Sequence, residues 1–561
     1  MLLLIVVIAV FLRFYQLGNI PAGLTNDEAG VGWDAYSILK TGRDQWNEFM
    51  PIHFIAFGDY PPPALRYLTI LPVYFFGPSS LSVRFPSALF GTFSVILVFF
   101  LARKIFDKRV GLFSSLLFAV SPWAIGLSRV TIDPNIAMTF FLSGLLLYLL
   151  AKEKKIFLLF SVLSFAASVY TYSAYVLFLP LAGLAMVVWD RKYVFKDLKI
   201  YLISFLLLIL LVTPNFLTKN NAASVRFSQV GLINNVDSIG LISNLNDKRG
   251  ACLKDFSSVI CRISDNKITL FMSTFFKNYL SHFNFNWLYS DGNSTQFSIL
   301  PARGLEYVFE FAFFVFGIIM IIKNKNRKGY FLIALLLVSP IPDSLTGEGH
   351  YGRASVMLPF MLMIEGVGLF YLVRLISLIR YSIIRNLSYL VIFSTMVVAV
   401  TIFWITYLTY FKNYYSVFSQ YGYEDLMRKV YSLRNSYDKI YISKNLNDTK
   451  QYVYYLFYNK YDPKKFQNKI DVSYRTGSDG WVSVDRINNI YFVQDLPIID
   501  ENLINSGEKA LFISNPVDFP KSVKPEFVVK DKAGNTLFAA ELLANLIKYK
   551  QEHKNLPLIS E

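Results

Sequence analysis

Met1-Leu2-Leu3-Leu4-Ile5-Val6-Val7-Ile8-Ala9-Val10-Phe11-Leu12-Arg13-Phe14-Tyr15-Gln16-Leu17 opens the chain, and Asn26-Asp27-Glu28 begins nine residues after Leu17. A run of this length and apolarity can cross the hydrocarbon layer as one helix. It lacks a cationic start and a small-residue cleavage site, so it reads as a retained span and not a signal peptide. The rest of the chain repeats the pattern. Apolar residues make up 54% of 561, aromatics 17%, and the mean hydropathy is +0.41. Eleven spans are read near 1–17, 87–103, 110–128, 135–151, 156–171, 175–190, 199–215, 306–322, 329–341, 354–373 and 387–410. The fold expected is mainly α, a polytopic membrane helix bundle.

Cationic loops set the orientation. Arg103, Lys104, Lys108 and Arg109 form one cluster; Lys152, Lys154 and Lys155 the next. Arg191, Lys192, Lys196 and Lys199 follow, then Lys323, Lys325, Arg327 and Lys328, then Arg374, Arg380 and Arg385. The positive-inside rule places all five on the cytoplasmic side. The N-terminus is then inside, and residues 18–86, 216–305 and 411–561 are outside. The net charge of +16 becomes a matter of topology and of attraction to anionic lipid. No basic stripe with interleaved aromatics suggests nucleic acid. Ala64 to Gly77 is apolar but only 14 residues long, with Arg66 and Pro72 inside it. It is too short to span and reads as an interfacial helix of the first outer loop.

From residue 411 the composition turns polar, so the chain divides into a membrane domain, 1–410, and an extracytoplasmic domain, 411–561. Lys439 to Ile442 and Ala510 to Ile513 read as strands, while Glu424 to Leu433 and Lys450 to Tyr458 have helical spacing, giving a small α/β domain. Cys252 and Cys261, the only cysteines, fall in the loop at 216–305 and read as a local disulfide or two free thiols. Gly-rich phosphate loops, nucleophile elbows, Cys/His metal spacings, repeats and low-complexity tracts are absent from the sequence.

The distinctive polar residues fall on the outer face. The first loop holds Asp27, Glu28, His53, Asp59 and Arg84. The second outer turn reads Ser128-Arg129-Val130-Thr131-Ile132-Asp133-Pro134, with Arg129 and Asp133 spaced for one helical turn. A third stretch is Pro342-Asp343-Ser344-Leu345-Thr346-Gly347-Glu348-Gly349-His350-Tyr351-Gly352-Arg353. A carboxylate at a membrane surface suits proton removal from a hydroxyl, which makes Asp27 the candidate base. The alternative is a solvated pair, Asp27-Glu28, that caps the following helix. The aromatic run from His282 to Tyr289 is either an interfacial belt or a platform for a sugar face.

These motifs resemble the GT-C superfamily of membrane glycosyltransferases, in particular the branch with protein O-mannosyltransferases and the lipid A aminoarabinose transferase. The resemblance covers residues 1 to about 360 and rests on Asp27-Glu28, Arg84-Phe85-Pro86, Arg129 and Asp133-Pro134. It implies transfer of a sugar from a polyprenyl-phosphate carrier to a hydroxyl of a lipid, glycan or protein, outside the membrane and with inversion. It assigns Asp27 as base or acceptor positioner, with Glu28 beside it, and Asp133 as the second acidic position. A Glu-Lys-Pro stretch in the aminoarabinose branch corresponds to Asp59-Tyr60-Pro61 here. Asp59 and Tyr60 are thus substrate-binding candidates, and the phosphate-clamping lysine is missing.

A departing phosphate needs neutralising, by arginine or by a divalent cation. Arg353, Arg129, Arg84 and His350 are the candidates for the donor phosphate. Asp59, His53, Glu348 and His350 are the candidate metal ligands, against the plainer reading of hydrated loop residues. The rival reading is a non-enzymatic transporter or flippase of lipid-linked sugar. It calls for ionisable residues within spans and a repeat between halves; the sequence reading finds the charges at one surface.

Overall fold

The computed structural model describes residues 1–217, 239–291, 303–414, 420–446, 450–477, 481–499 and 501–552. Every apolar segment named above is helical: Leu2–Phe14, Ser80–Ile105, Lys108–Val120 with Pro122–Arg129, Asp133–Leu150, Ile156–Val169, Tyr175–Lys196, Leu198–Val212, Glu310–Lys323, Arg327–Val338, Met357–Ser377 and Ser382–Thr409. Among the described residues, five helices are long and apolar enough to cross a membrane, or six if one bent pair is a single span. The chain is a multi-pass membrane protein, and the count of eleven remains an expectation. In Leu198–Leu217 and Ser382–Asn413 only 6% of the apolar window is buried against protein. Leu202, Phe205, Leu210, Val391 and Phe393 are exposed, which suits contact with lipid and not with water.

Three segments differ from the sequence reading. The segment at 110–128 is bent by 55° between Val120 and Pro122. Tyr175–Lys196 runs past 190, with a break at Asp190 (φ −102°, ψ 17°). Arg84-Phe85-Pro86 lies inside the Ser80–Ile105 helix instead of leading into it.

Two compact units are formed. The first comprises Met1–Tyr15, Tyr60–Ala64 and Ser87–Phe403; the second Gln16–Asp59, Leu65–Pro86 and Trp404–Glu561. In the first, glycines let helices touch. A Cβ on Gly368 would stand 1.9 Å from the Phe313 carbonyl oxygen, and one on Gly317 would stand 2.1 Å from that of Ile364. Close approach of this kind gives the dispersion contacts that hold membrane helices together without a hydrophobic driving force.

The second unit carries a seven-stranded sheet: β1 (Lys439–Ser443), β2 (Val472–Thr476), β3 (Val482–Ile487), β4 (Ile490–Val493), β5 (Ala510–Ser514), β6 (Phe527–Lys530) and β7 (Thr536–Leu542). Their order is β2-β3-β4-β1-β5-β7-β6. β1 pairs in parallel with β4 and β5, and every residue of β5 is buried, as expected of a central strand covered on both faces. The Tyr452–Tyr458 helix is wholly buried and packs on the Asn26–Thr41 helix. A Cβ on Gly32 would lie 2.4 Å from Phe457 and 2.7 Å from Val83. Trp33 meets Phe466 edge-on at 6.2 Å, and the Gln467 amide donates to Thr41 Oγ1 at 2.9 Å and to the Asp44 carbonyl at 2.8 Å. The polar C-terminal segment and the first loop therefore share one core.

Candidate functional site

Asp27 sits in the first turn of the Asn26–Thr41 helix, whose start is over-determined. The Glu28 N–H donates to Thr25 Oγ1, and Glu28 Oε2 accepts from the Thr25 N–H at 3.0 Å, a reciprocal cap. The Asn26 N–H donates to Gln420 Oε1 at 2.6 Å, and that oxygen also accepts from Tyr454 Oη. Within this rigid turn the Asp27 side chain is exposed. Its carboxylate makes no hydrogen bond or ion pair among the described residues. Asp27 is thus an acceptor held in place by its backbone and open at its side chain.

Glu28 and Arg84 have a different office. Arg84 Nε and Nη2 reach Glu28 Oε1 and Oε2 at 2.8 and 3.0 Å, with both side chains nearly inaccessible. The same guanidinium donates to the carbonyls of Pro21 (2.7 Å), Gly23 (2.5 Å) and Leu17 (3.4 Å). This is a staple of the first loop to the helix behind it. The structure thus gives Glu28 a structural place beside the candidate base, and Arg84 one in the loop.

Two more carboxylates tune the same unit. Asp34 pairs with Arg66 at 2.9 Å. Burial pushes its pKa up to about 6, with Arg66 opposing. Asp44 is pushed up to about 7 by burial and by the nearby Asp34 charge, against the N–H groups of Glu48 and Trp46.

In the first unit, Arg129 and Asp133 are not one helical turn apart. Arg129 ends the Pro122–Arg129 helix, Val130 is extended (φ −124°, ψ 159°), and Asp133 begins the Asp133–Leu150 helix. The β-branched run Val130-Thr131-Ile132 and the Pro at the next helix start explain the break. Arg129 is buried and donates to the carbonyls of Leu12 (3.0 Å), Arg13 (3.2 Å) and Tyr15 (2.9 Å). Arg13 in turn donates to Phe118 and Ala119 carbonyls at 3.1 and 2.9 Å. Each arginine satisfies the carbonyl end of the helix opposite, where a cation is favoured. Arg129 is therefore a helix clamp.

The loop at 341–353 is organised around Asp343. Its Oδ1 accepts from Arg353 Nε at 2.5 Å; its Oδ2 accepts from His282 Nε2 and the His350 N–H, both at 2.9 Å. Burial works to raise its pKa, but His282, Arg353 and the His350 N–H outweigh it and hold the carboxyl below the usual range. His350 Nδ1 accepts from the N–H groups of Gly352 and Arg353, which leaves the proton of a neutral ring on Nε2. Arg353 is partly exposed at 28%, and its two terminal amino groups have no protein partner among the described residues. His282, in the aromatic run, is buried and stands edge-on to Trp287.

The expected metal ligands do not fit a metal. Among the described residues no three His, Cys, Asp or Glu side chains are gathered for one. Glu348 pairs with Lys277 at 2.8 Å, both exposed. Asp59 closes a turn by exchanging backbone hydrogen bonds with Ala56. His53 lies in the same loop, half-buried, and Tyr60 is likewise half-buried. Cys252 and Cys261 are joined in a disulfide, with their Cα atoms 5.7 Å apart.

Sequence reasoning missed one group. Glu306, Glu310 and Glu365 are buried in the membrane unit. Ser121 Oγ donates to Glu306 at 2.6 Å, the Tyr307 N–H to Glu310 at 3.0 Å, and Tyr289 Oη to Glu365 at 2.9 Å. The ionisable groups are therefore not confined to one surface. The signal was Glu365 itself, lone in a long apolar segment.

Residues 60–217 match the family described as dolichyl-phosphate-mannose-protein mannosyltransferase. An uncharacterized protein of Aquifex aeolicus (strain VF5) is 32% identical over 149 residues, 26% of this chain and 28% of that protein's length. Solved structures of ArnT from Cupriavidus metallidurans align over 97% of this chain and 98% of theirs. The apo form gives a TM-score of 0.52 at 11% identity. The form bound to undecaprenyl phosphate gives 0.54 at 12%. The chain shares the ArnT fold. That likeness of fold covers 97% of this chain, well beyond residues 60–217.

Proposed function

We propose that this protein is a GT-C-type glycosyltransferase that moves a sugar from a polyprenyl-phosphate carrier to a hydroxyl acceptor, with Asp27 as base. One observation carries the reading. Of the acidic pair at the start of the Asn26–Thr41 helix, Glu28 is consumed by a cap and by Arg84, while Asp27 is exposed and, among the described residues, has no side-chain partner, in a turn fixed by its cap. As the acceptor oxygen bonds to the anomeric carbon, its proton passes to Asp27. The bond from that carbon to the carrier phosphate breaks, and the phosphate leaves with the electron pair. In-line attack inverts the anomeric centre. Asp133 is proposed as the second acidic group.

For the donor, the open amino groups of Arg353 and the Nε2 proton of His350 suit the departing phosphate, by charge-assisted hydrogen bonds. Asp59 and Tyr60 are proposed to contact substrate. Chemistry on the extracytoplasmic side follows from the five cationic loops under the positive-inside rule. The family that residues 60–217 match is described by a dolichyl-phosphate-mannose donor and a protein acceptor, and the ArnT structure holds undecaprenyl phosphate. Both support a polyprenyl-phosphate donor.

The rival reading gains one observation, the buried Glu306–Glu310–Glu365 group, since ionisable residues within a membrane unit mark ion pathways. Purified protein with a polyprenyl-phosphate-linked sugar and a set of hydroxyl acceptors separates the two. Mass spectrometry should find a glycosylated acceptor and free polyprenyl phosphate. Movement of intact donor across vesicles without a new glycosidic bond would establish the transporter instead.

A further inference from the structure

We infer that Asp343 is a positioning residue, which, steadied by His282, fixes the Arg353 guanidinium so that both terminal amino groups face an anionic ligand. The inference rests on the reading of Arg353 as a contact to the donor phosphate. The geometry of the Asp343–Arg353 pair does not depend on that reading.

An arginine side chain has many rotamers, and freezing them at the moment of binding weakens an ion contact. Here Arg353 is tethered by Nε alone, at 2.5 Å from Asp343 Oδ1. That contact uses the one donor on the inner edge of the fork and leaves the outer four N–H bonds for a planar or tetrahedral oxyanion. The tether is itself rigid. Asp343 Oδ2 is held by His282 Nε2 and the His350 N–H, and the hydroxyl of Thr346 donates to Oδ1 at 3.3 Å. His282 is fully buried and locked at its other nitrogen by the Asn278 carbonyl, 2.8 Å away. The order of support therefore runs Asn278, His282, Asp343, Arg353, from a buried helix end to a partly exposed guanidinium. A purely structural ion pair would have no need to leave both terminal amino groups unused.

The test is a double-mutant cycle on full-length protein in detergent, read as the Kd for a polyprenyl monophosphate. Asp343→Ala should weaken binding on the order of 10- to 100-fold, the cost of a loosely placed contact group. Asp343→Asn keeps an oxygen for Arg353 Nε and should lose far less. In an Arg353→Ala background, Asp343→Ala should have no further effect on Kd, because the tether then holds nothing. Additive losses in the cycle, or normal binding by Asp343→Ala, would overturn the positioning role. Normal binding by Arg353→Ala alone would sink the phosphate reading and this inference with it. If Asp343→Ala does not fold, the Asp343→Asn cycle gives the same decision at smaller amplitude, and its His282→Ala counterpart should repeat the Kd loss only when Arg353 is present.

Discussion

Arg84→Ala separates two roles that the sequence could not tell apart, a ligand of the donor phosphate and an internal staple. The side chain is 1% exposed and its partner Glu28 3%. Truncation leaves Glu28 buried without its cation, and breaking one side of such a pair costs about 3–5 kcal/mol. The carbonyls of Pro21 and Gly23 lose donors as well, each worth about 1–3 kcal/mol when left buried. These terms overlap, and a total on the order of 5 kcal/mol is comparable with the whole stability of a domain. The variant should therefore lose its monodisperse peak at markedly lower temperature after heating in detergent. Glu28→Gln keeps one acceptor oxygen but leaves buried Arg84 without its counter-charge, and should cost a similar amount, about 3–5 kcal/mol. If Arg84→Ala kept normal heat resistance and lost polyprenyl-phosphate binding, the staple would be wrong and the phosphate contact right.

Three further outcomes follow from the same unit. Gly32→Ala should fail to assemble the first loop with the C-terminal domain, because its Cβ would meet Phe457 at 2.4 Å; wild-type protease resistance would refute this packing. Asp34 and Asp44 have pKa values raised to about 6 and about 7, so the stability they contribute is full below about pH 4 and lost as pH rises through 6 to 7. Asp44→Asn should narrow the stability gap between pH 5 and pH 8 by on the order of 2–3 kcal/mol, and an unchanged gap would count against it. Single-Cys variants at exposed Ser473 and Ser377, made in a protein without Cys252 and Cys261, should be labelled from outside intact cells only at Ser473; labelling at Ser377 alone would reverse the orientation.

What was legible in the sequence was what depends on near neighbours. The apolar segments are helical, and Lys439 to Ile442 and Ala510 to Ile513 are central strands, because periodicity and run length are local. Long-range pairing was not legible. Nothing near Glu28 announces Arg84, 56 residues on, and nothing near Thr41 announces Gln467. Three outer-face clusters therefore looked alike, although Glu28, Arg84 and Arg129 hold backbone in place and Asp27 and Arg353 do not. The break between Arg129 and Asp133 could have been read from Val130-Thr131-Ile132, and Glu365 from its place in an apolar run. The packing of the Tyr452–Tyr458 helix onto the first loop had no sequence signal, since the fit of Phe457 against Gly32 is a matter of shape.

The central claim is that Asp27 takes the acceptor proton, and Asp27→Asn tests it most directly. The amide keeps the size of the side chain in a turn already fixed by Thr25, Glu28 and Gln420. Folding and polyprenyl-phosphate binding should therefore be unchanged. Transfer of sugar to a hydroxyl acceptor, followed by mass spectrometry, should fall by roughly two to four orders of magnitude. Turnover within a few-fold of wild type would contradict the account and pass the role of base to Asp133.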